Sequence, residues 1–134
     1  MKLLFAALAL AHPLADGPVT TVADRAVMTG LDGADLDACG GVGRINAFGL
    51  RDDEGRPLRA APDPSATKAG EVAGGALVWL CEGDGDWQGI VYPADDLQEL
   101  GDCRVSSPLP APEPYAGPCR SGWVEARHIQ LIAG

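Results

Sequence analysis

Two β-rich runs on either side of a glycine–aspartate turn constrain this chain more than any other feature. Residues 76–82 read ALVWLCE, residues 87–92 read WQGIVY, and Gly83-Asp84-Gly85-Asp86 lies between them. β-Branched and aromatic residues suit a pleated surface, and a short Gly/Asp linker suits a hairpin. Alternation puts Leu77, Trp79 and Cys81 on one face, with Val78 and Leu80 on the other. A hairpin alone is marginal in water, so it must recruit further strands. The candidates are residues 43–48 (GRINAF), Gly70-Glu71-Val72 before the turn at Gly74-Gly75, residues 122–125 (GWVE) and residues 130–132 (QLI). Arg127-His128-Ile129 fits one 3-10 turn between the last two. Residues 50–64 carry Gly55, Pro57, Pro62 and Pro64 and read as a long wandering loop, with Leu58 and Ala60 turned inward. No segment has a convincing helical period. Five to six short strands joined by Gly/Pro turns predict an all-β chain, a small barrel or sandwich.

Residues 93–118 do not fit a minimal barrel. Loops have a median length of about 4–6 residues, and this one holds Asp95-Asp96 and then Pro108, Pro110, Pro112, Pro114 and Pro118. It reads as an insertion that needs pinning. Four cysteines, Cys39, Cys81, Cys103 and Cys119, are available and form no C-x-x-C pair. A zinc site wants close ligand pairs, and only His12 and His128 could assist. Two disulfides are the simpler reading, with three pairings open. Cys103 with Cys119 would staple the Pro-rich stretch, a closure worth about 3 kcal/mol in the chain-entropy model. Cys39 with Cys81 would then tie the start of the domain to its centre. This pairing is preferred.

Disulfides suit an exported protein, and the N-terminus agrees. Residues 1–11 read MKLLFAALALA, with cationic Lys2, an uncharged apolar run and the small-x-small site Ala9-Leu10-Ala11. This is the layout of a signal peptide cleaved after Ala11. The run is too short to span a bilayer, which takes ~20 apolar residues. The expected location is therefore periplasmic or secreted, with no membrane insertion after cleavage. Residues 12–38 hold five Asp and one cation, Arg25, and read as an acidic arm, flexible or partly ordered. A short strand or helical turn near residues 19–28 is compatible with them. Residues 39–134 form the domain, with eight cations against fourteen carboxylates. The formal net charge of −9 argues against nucleic acid and anionic lipid as partners. It favours a partner that tolerates an acidic face.

Several segments taken together resemble the bacterial SH3-like (SH3b) family. Leu58-Arg59-Ala60-Ala61-Pro62 with Pro64-Ser65-Ala66 resembles the family's opening of the wandering loop. Gly70-Glu71-Val72 resembles its next step, and Trp79-Leu80-Cys81-Glu82 through Gly85-Asp86-Trp87-Gln88-Gly89-Ile90 resembles its central hairpin. Ser121-Gly122-Trp123-Val124-Glu125-Ala126-Arg127-His128-Ile129 resembles its closing segment. Asp102-Cys103 through Ser106-Ser107-Pro108, and Tyr115 through Cys119-Arg120-Ser121-Gly122-Trp123-Val124, resemble small exported single-domain SH3-like proteins of alphaproteobacterial type. Two departures are Ala60-Ala61 before Pro62, and His128 where the family carries an aromatic. The resemblance implies an SH3-like barrel with a disulfide-stapled Pro-rich insertion. It also adds weight to the Cys39–Cys81 and Cys103–Cys119 pairing. It implies a binding module of the bacterial envelope, with a peptidoglycan stem peptide or an envelope protein as ligand.

The residues themselves give little chemistry to set beside this. A nucleophile needs an activating base, and His128 is the domain's sole histidine. Ser106, Ser107 and Ser121 stand in no nucleophile elbow. Neither Asp32-Gly33-Ala34-Asp35-Leu36-Asp37 nor Glu82-Gly83-Asp84-Gly85-Asp86 has the calcium-loop pattern. No enzyme, metal or cofactor is expected. Trp79 and Trp123 read as packed rings. Trp87, Tyr92 and Tyr115 are the candidates for a peptide-binding face between the wandering loop and the hairpin, with Asp84 and Asp86 selecting a cationic partner. A structural or inhibitory protein that engages a partner through its stapled Pro-rich loop is the alternative.

Overall fold

The computed structural model describes residues 21–47, 55–93 and 100–134. The segment expected to be a signal peptide, the start of the expected arm, residues 48–54 and residues 94–99, with Asp95-Asp96, lie outside the described residues. The described residues are mostly β, with almost no helix and long connecting turns. Nine strands run in chain order: β1 Met28–Thr29, β2 Gly41–Ile45, β3 Arg56–Arg59, β4 Lys68–Val72, β5 Leu77–Asp84, β6 Trp87–Tyr92, β7 Glu113–Pro114, β8 Arg120–Glu125 and β9 Ile129–Ala133. A 3-10 turn, Ala126–His128, joins β8 to β9.

The β5–β6 hairpin is where the sequence puts it, but it is longer. β5 runs on to Asp84, and the turn shrinks to Gly85 and Asp86. Gly85 sits at φ +59°, the conformation that a two-residue hairpin turn demands and glycine supplies cheaply. Around this hairpin the strands order as β4-β3-β8-β6-β5-β2-β9, antiparallel throughout. This sheet has seven strands, more than the five to six expected. Part of the expected wandering loop is strand β3, and β1 pairs with β7 in a separate two-stranded sheet. The seven-stranded sheet does not close on itself: β4 and β9 are its edges.

The central strands of the sheet are packed on both faces, while edge strand β9 is largely exposed. Ile45, Leu58, Val72, Val78, Ile90, Tyr92 and Val124 form the main core on one face. Gly122 belongs to that side, and a Cβ there would stand 2.5 Å from Leu58 Cγ. Alternation turns Val91 and Trp79 to the opposite face, where they meet Ala38, Cys39, Cys103 and Val105. The arm and the insertion together build this second layer. Ala38 N–H donates to Ser107 O at 2.9 Å, Cys39 N–H to Val105 O at 3.0 Å, and Tyr115 N–H to Val27 O at 2.8 Å. Both disulfides lie in this layer, Cys39–Cys81 and Cys103–Cys119. Two disulfides suit an oxidising compartment. Among the described residues no helix is long and apolar enough to cross a membrane.

Candidate functional site

Of the five residues that the sequence groups as a peptide-binding face, the structure brings Asp84, Asp86 and Trp87 together at the end of the β5–β6 hairpin and places Tyr92 and Tyr115 elsewhere. Tyr92 is buried in the main core, and its hydroxyl donates to Glu71 O at 3.3 Å. Burial raises its pKa, with Arg120 opposing. It is a core residue because the strand alternation of β6 turns it inward beside Ile90. Tyr115 is a brace of the insertion. Its hydroxyl donates to Cys103 O and accepts from Cys119 N–H, both at 2.9 Å. It thereby holds the two ends of the disulfide-closed segment together, and burial raises its pKa as well. Asp86 sits in the hairpin turn, where its carbonyl accepts the Ala126 N–H. Asp84 faces a cation, but the cation belongs to this chain: it is Arg25.

Tyr115 lines a pocket beside the insertion with Arg104 and Leu109, and the groove at the wandering loop falls to Trp87. Trp87 is half-buried and lines a cleft of about 90 Å³ with Pro57, Arg59, Pro64, Glu125 and His128. The cleft lies between the loop that follows β3 and the start of β6. Pairing explains the arrangement: Trp87 stands opposite Glu125, so both project from the same face. His128 Nε2 is 2.9 Å from Glu125 Oε2. Burial and the charge of Arg56 lower the His128 pKa, and Glu125 only partly offsets them. Burial raises the Glu125 pKa, but Arg127 and His128 outweigh it and leave it below its ordinary value. Both shifts have the same consequence. A histidine depressed below 6.5 and a carboxylate depressed below 4.5 each bind fewer protons folded than unfolded in those windows. Stability should therefore fall as pH drops below 6.5, and fall again through the carboxylate range. Urea midpoints between pH 7.5 and pH 5 check the first step. A His128→Gln variant whose midpoint falls as much as the native protein's would remove the histidine from the account.

A second constellation escapes the sequence reading. A β-bulge between Leu80 and Glu82 shifts the register of β5, so that Glu82 opposes Gly89. Gly89 opposes Trp123, and Trp123 opposes Arg59. Directly opposed residues share a face, so Glu82, Gly89, Trp123 and Arg59 form one row across four strands. Residues 21–30 cross this row. Val27 lies on Gly89, where a Cβ would come within 2.9 Å of it. The Arg25 guanidinium stacks on the Trp123 ring, 4.9 Å from its centroid, and pairs with both Glu82 and Asp84. Those contacts raise the Arg25 pKa, the hydrogen bond to Asp84 most, against burial. The Trp123 Nε1–H donates to Arg25 O at 2.8 Å, Arg25 N–H donates to Ala60 O at 2.8 Å, and Met28 N–H donates to Glu82 Oε1 at 2.9 Å. One signal for this was present in the sequence: Arg25 is the single cation of residues 12–38.

The chain matches no family model, no curated protein and no solved structure.

Proposed function

We propose that this protein is a non-catalytic, exported SH3-like binding module of the bacterial envelope, and that it recognises a peptide of a peptidoglycan stem or an envelope protein. The antiparallel β5–β6 hairpin and the 3-10 turn between the last two strands support the SH3-like reading. The observation that carries the binding role is the Trp87 groove. It combines an aromatic ring, two prolines and three ionisable groups, the mixture of apolar walls and few polar anchors that peptide sites use.

A pull-down on purified sacculi tests it. The oxidised protein is expected to co-sediment, and Trp87→Ala should weaken that binding about tenfold, the loss typical of a central aromatic anchor. Undiminished binding by Trp87→Ala removes the groove from the proposal. The alternative is a structural or inhibitory protein acting through its Pro-rich loop. It draws on the exposure of Pro108, Pro110, Pro112 and Pro114 along the rim of the insertion. No sacculus binding, together with a stable protein partner, would favour it.

A further inference from the structure

We infer that Glu82, Asp84 and Trp123 form a clasp for an arginine-bearing extended segment of another protein, held closed in this chain by its own Arg25. The clasp adjoins the Trp87 groove, since Asp84 stands opposite Trp87, but the two share no residue. Its parts are fixed by the sheet: Trp123 is fully buried on β8, and Glu82 is 8% exposed on β5. Arg25 offers them three things at once. Its guanidinium lies over the indole, its two terminal nitrogens reach two different carboxylates, and its backbone carbonyl takes the indole N–H. A planar fork can do this, whereas a lysine ammonium is a single point of charge. The backbone contact further requires that the cation be part of an extended peptide, which sets the class of competitor.

The strap is built unevenly. From Val27 onward it is anchored: Val27 is 1% exposed, Thr29 is 3% exposed, and β1 pairs with β7. Residues 21–26 join no strand, and Arg25 itself is 43% exposed. Segments with few buried contacts open at low free energy, independently of the core. When residue 25 lifts away, the buried Glu82 carboxylate keeps the Met28 N–H but loses its counter-charge at Oε2, and the buried indole N–H loses its acceptor. Those are the conditions under which a matching segment is drawn in. Opening competes with an intramolecular ligand at high effective concentration, so the native chain should bind outside segments weakly.

The test uses the full-length oxidised protein, its Arg25→Ala variant, the capped hexapeptide TVADRA and the same peptide with lysine for arginine. Calorimetry and the Trp123 indole N–H resonance give the readout. Arg25→Ala is expected to bind the arginine peptide about tenfold more tightly than the native protein does, and about tenfold more tightly than it binds the lysine peptide. A folded Arg25→Ala protein that binds neither peptide, or binds both alike, overturns the inference. Should that variant not fold, Asp84→Asn serves, since Asp84 is a surface residue. It should speed tryptic cleavage after Arg25 several-fold, and an unchanged rate overturns the inference. Sacculus binding by the Trp87 groove is read separately, so the two proposals fail independently.

Discussion

Replacing Cys39 and Cys81 together with alanine is expected to lower the unfolding free energy by about 4 kcal/mol, the chain-entropy value for so long a closure. The bond spans 42 positions of sequence and is the longer of the two crosslinks. It joins the end of the arm to the middle of β5, so it fixes the second layer onto the sheet. Cys39 is 1% exposed and packs with Val91, Cys103 and Val105, so alanine adds a small loss of packing to the entropic one. The Cys103–Cys119 bond spans 16 positions, and its removal should cost about 3 kcal/mol. That loss should be felt mainly in the insertion. Domains of this size are stable by about 5–15 kcal/mol, so full reduction should bring the protein close to unfolding at ambient temperature. Urea titrations of the native protein and the two double variants, followed by tryptophan fluorescence, give the numbers. A loss under about 1 kcal/mol for the Cys39/Cys81 pair would mean that the arm already reaches the sheet in the unfolded chain.

The difference between the two crosslinks also separates what the sequence reveals from what it conceals. The hairpin was legible because its signals are local: β-rich runs of period two and a glycine at the turn. The closing segment, with its 3-10 turn before β9, was legible for the same reason. The second layer was not. β1 and β7 are two residues each, and no local pattern marks a pairing of Met28–Thr29 with Glu113–Pro114 across so much chain. Tyr92 flanks the insertion in sequence, and nothing local distinguishes a rim aromatic from a core one there. Here the hydroxyl finds Glu71 O, and the ring completes the core. Glu82 was concealed by the bulge. Strict alternation from Leu80 would turn Glu82 toward the main core, whereas one extra residue delivers it to the face of Trp123. The cation that meets Asp84 is this chain's own Arg25, 59 residues upstream, a separation that no local pattern bridges.

Trp123→Ala should cost about 3–5 kcal/mol, the range for deleting a fully buried large aromatic. The ring is 0% exposed, between the row of β-strand residues and the strap that crosses them. Its loss opens a cavity, removes the floor on which Arg25 lies and leaves Arg25 O without its donor. Trp123→Phe separates these effects. Phenylalanine keeps most of the volume and the aromatic face, so the packing loss is small. What goes is the Nε1–H bond, worth about 1 kcal/mol in net terms. The two variants should therefore differ by several-fold in cost, and differ in kind. Trp123→Phe should loosen residues 21–26 while the sheet stays protected. Trp123→Ala should lower the protection of the whole β6–β8 pairing. Near-UV circular dichroism under urea gives the stabilities, and amide exchange at Arg25, whose N–H bonds Ala60 O, and at Val124 reports the strap and the sheet respectively. Equal costs for the two variants would mean that the indole N–H, and not the bulk of the ring, holds this face together. Faster exchange at Val124 in Trp123→Phe would mean that strap and sheet open as one unit. That second result would take away the local peeling on which exchange at the Arg25 clasp depends.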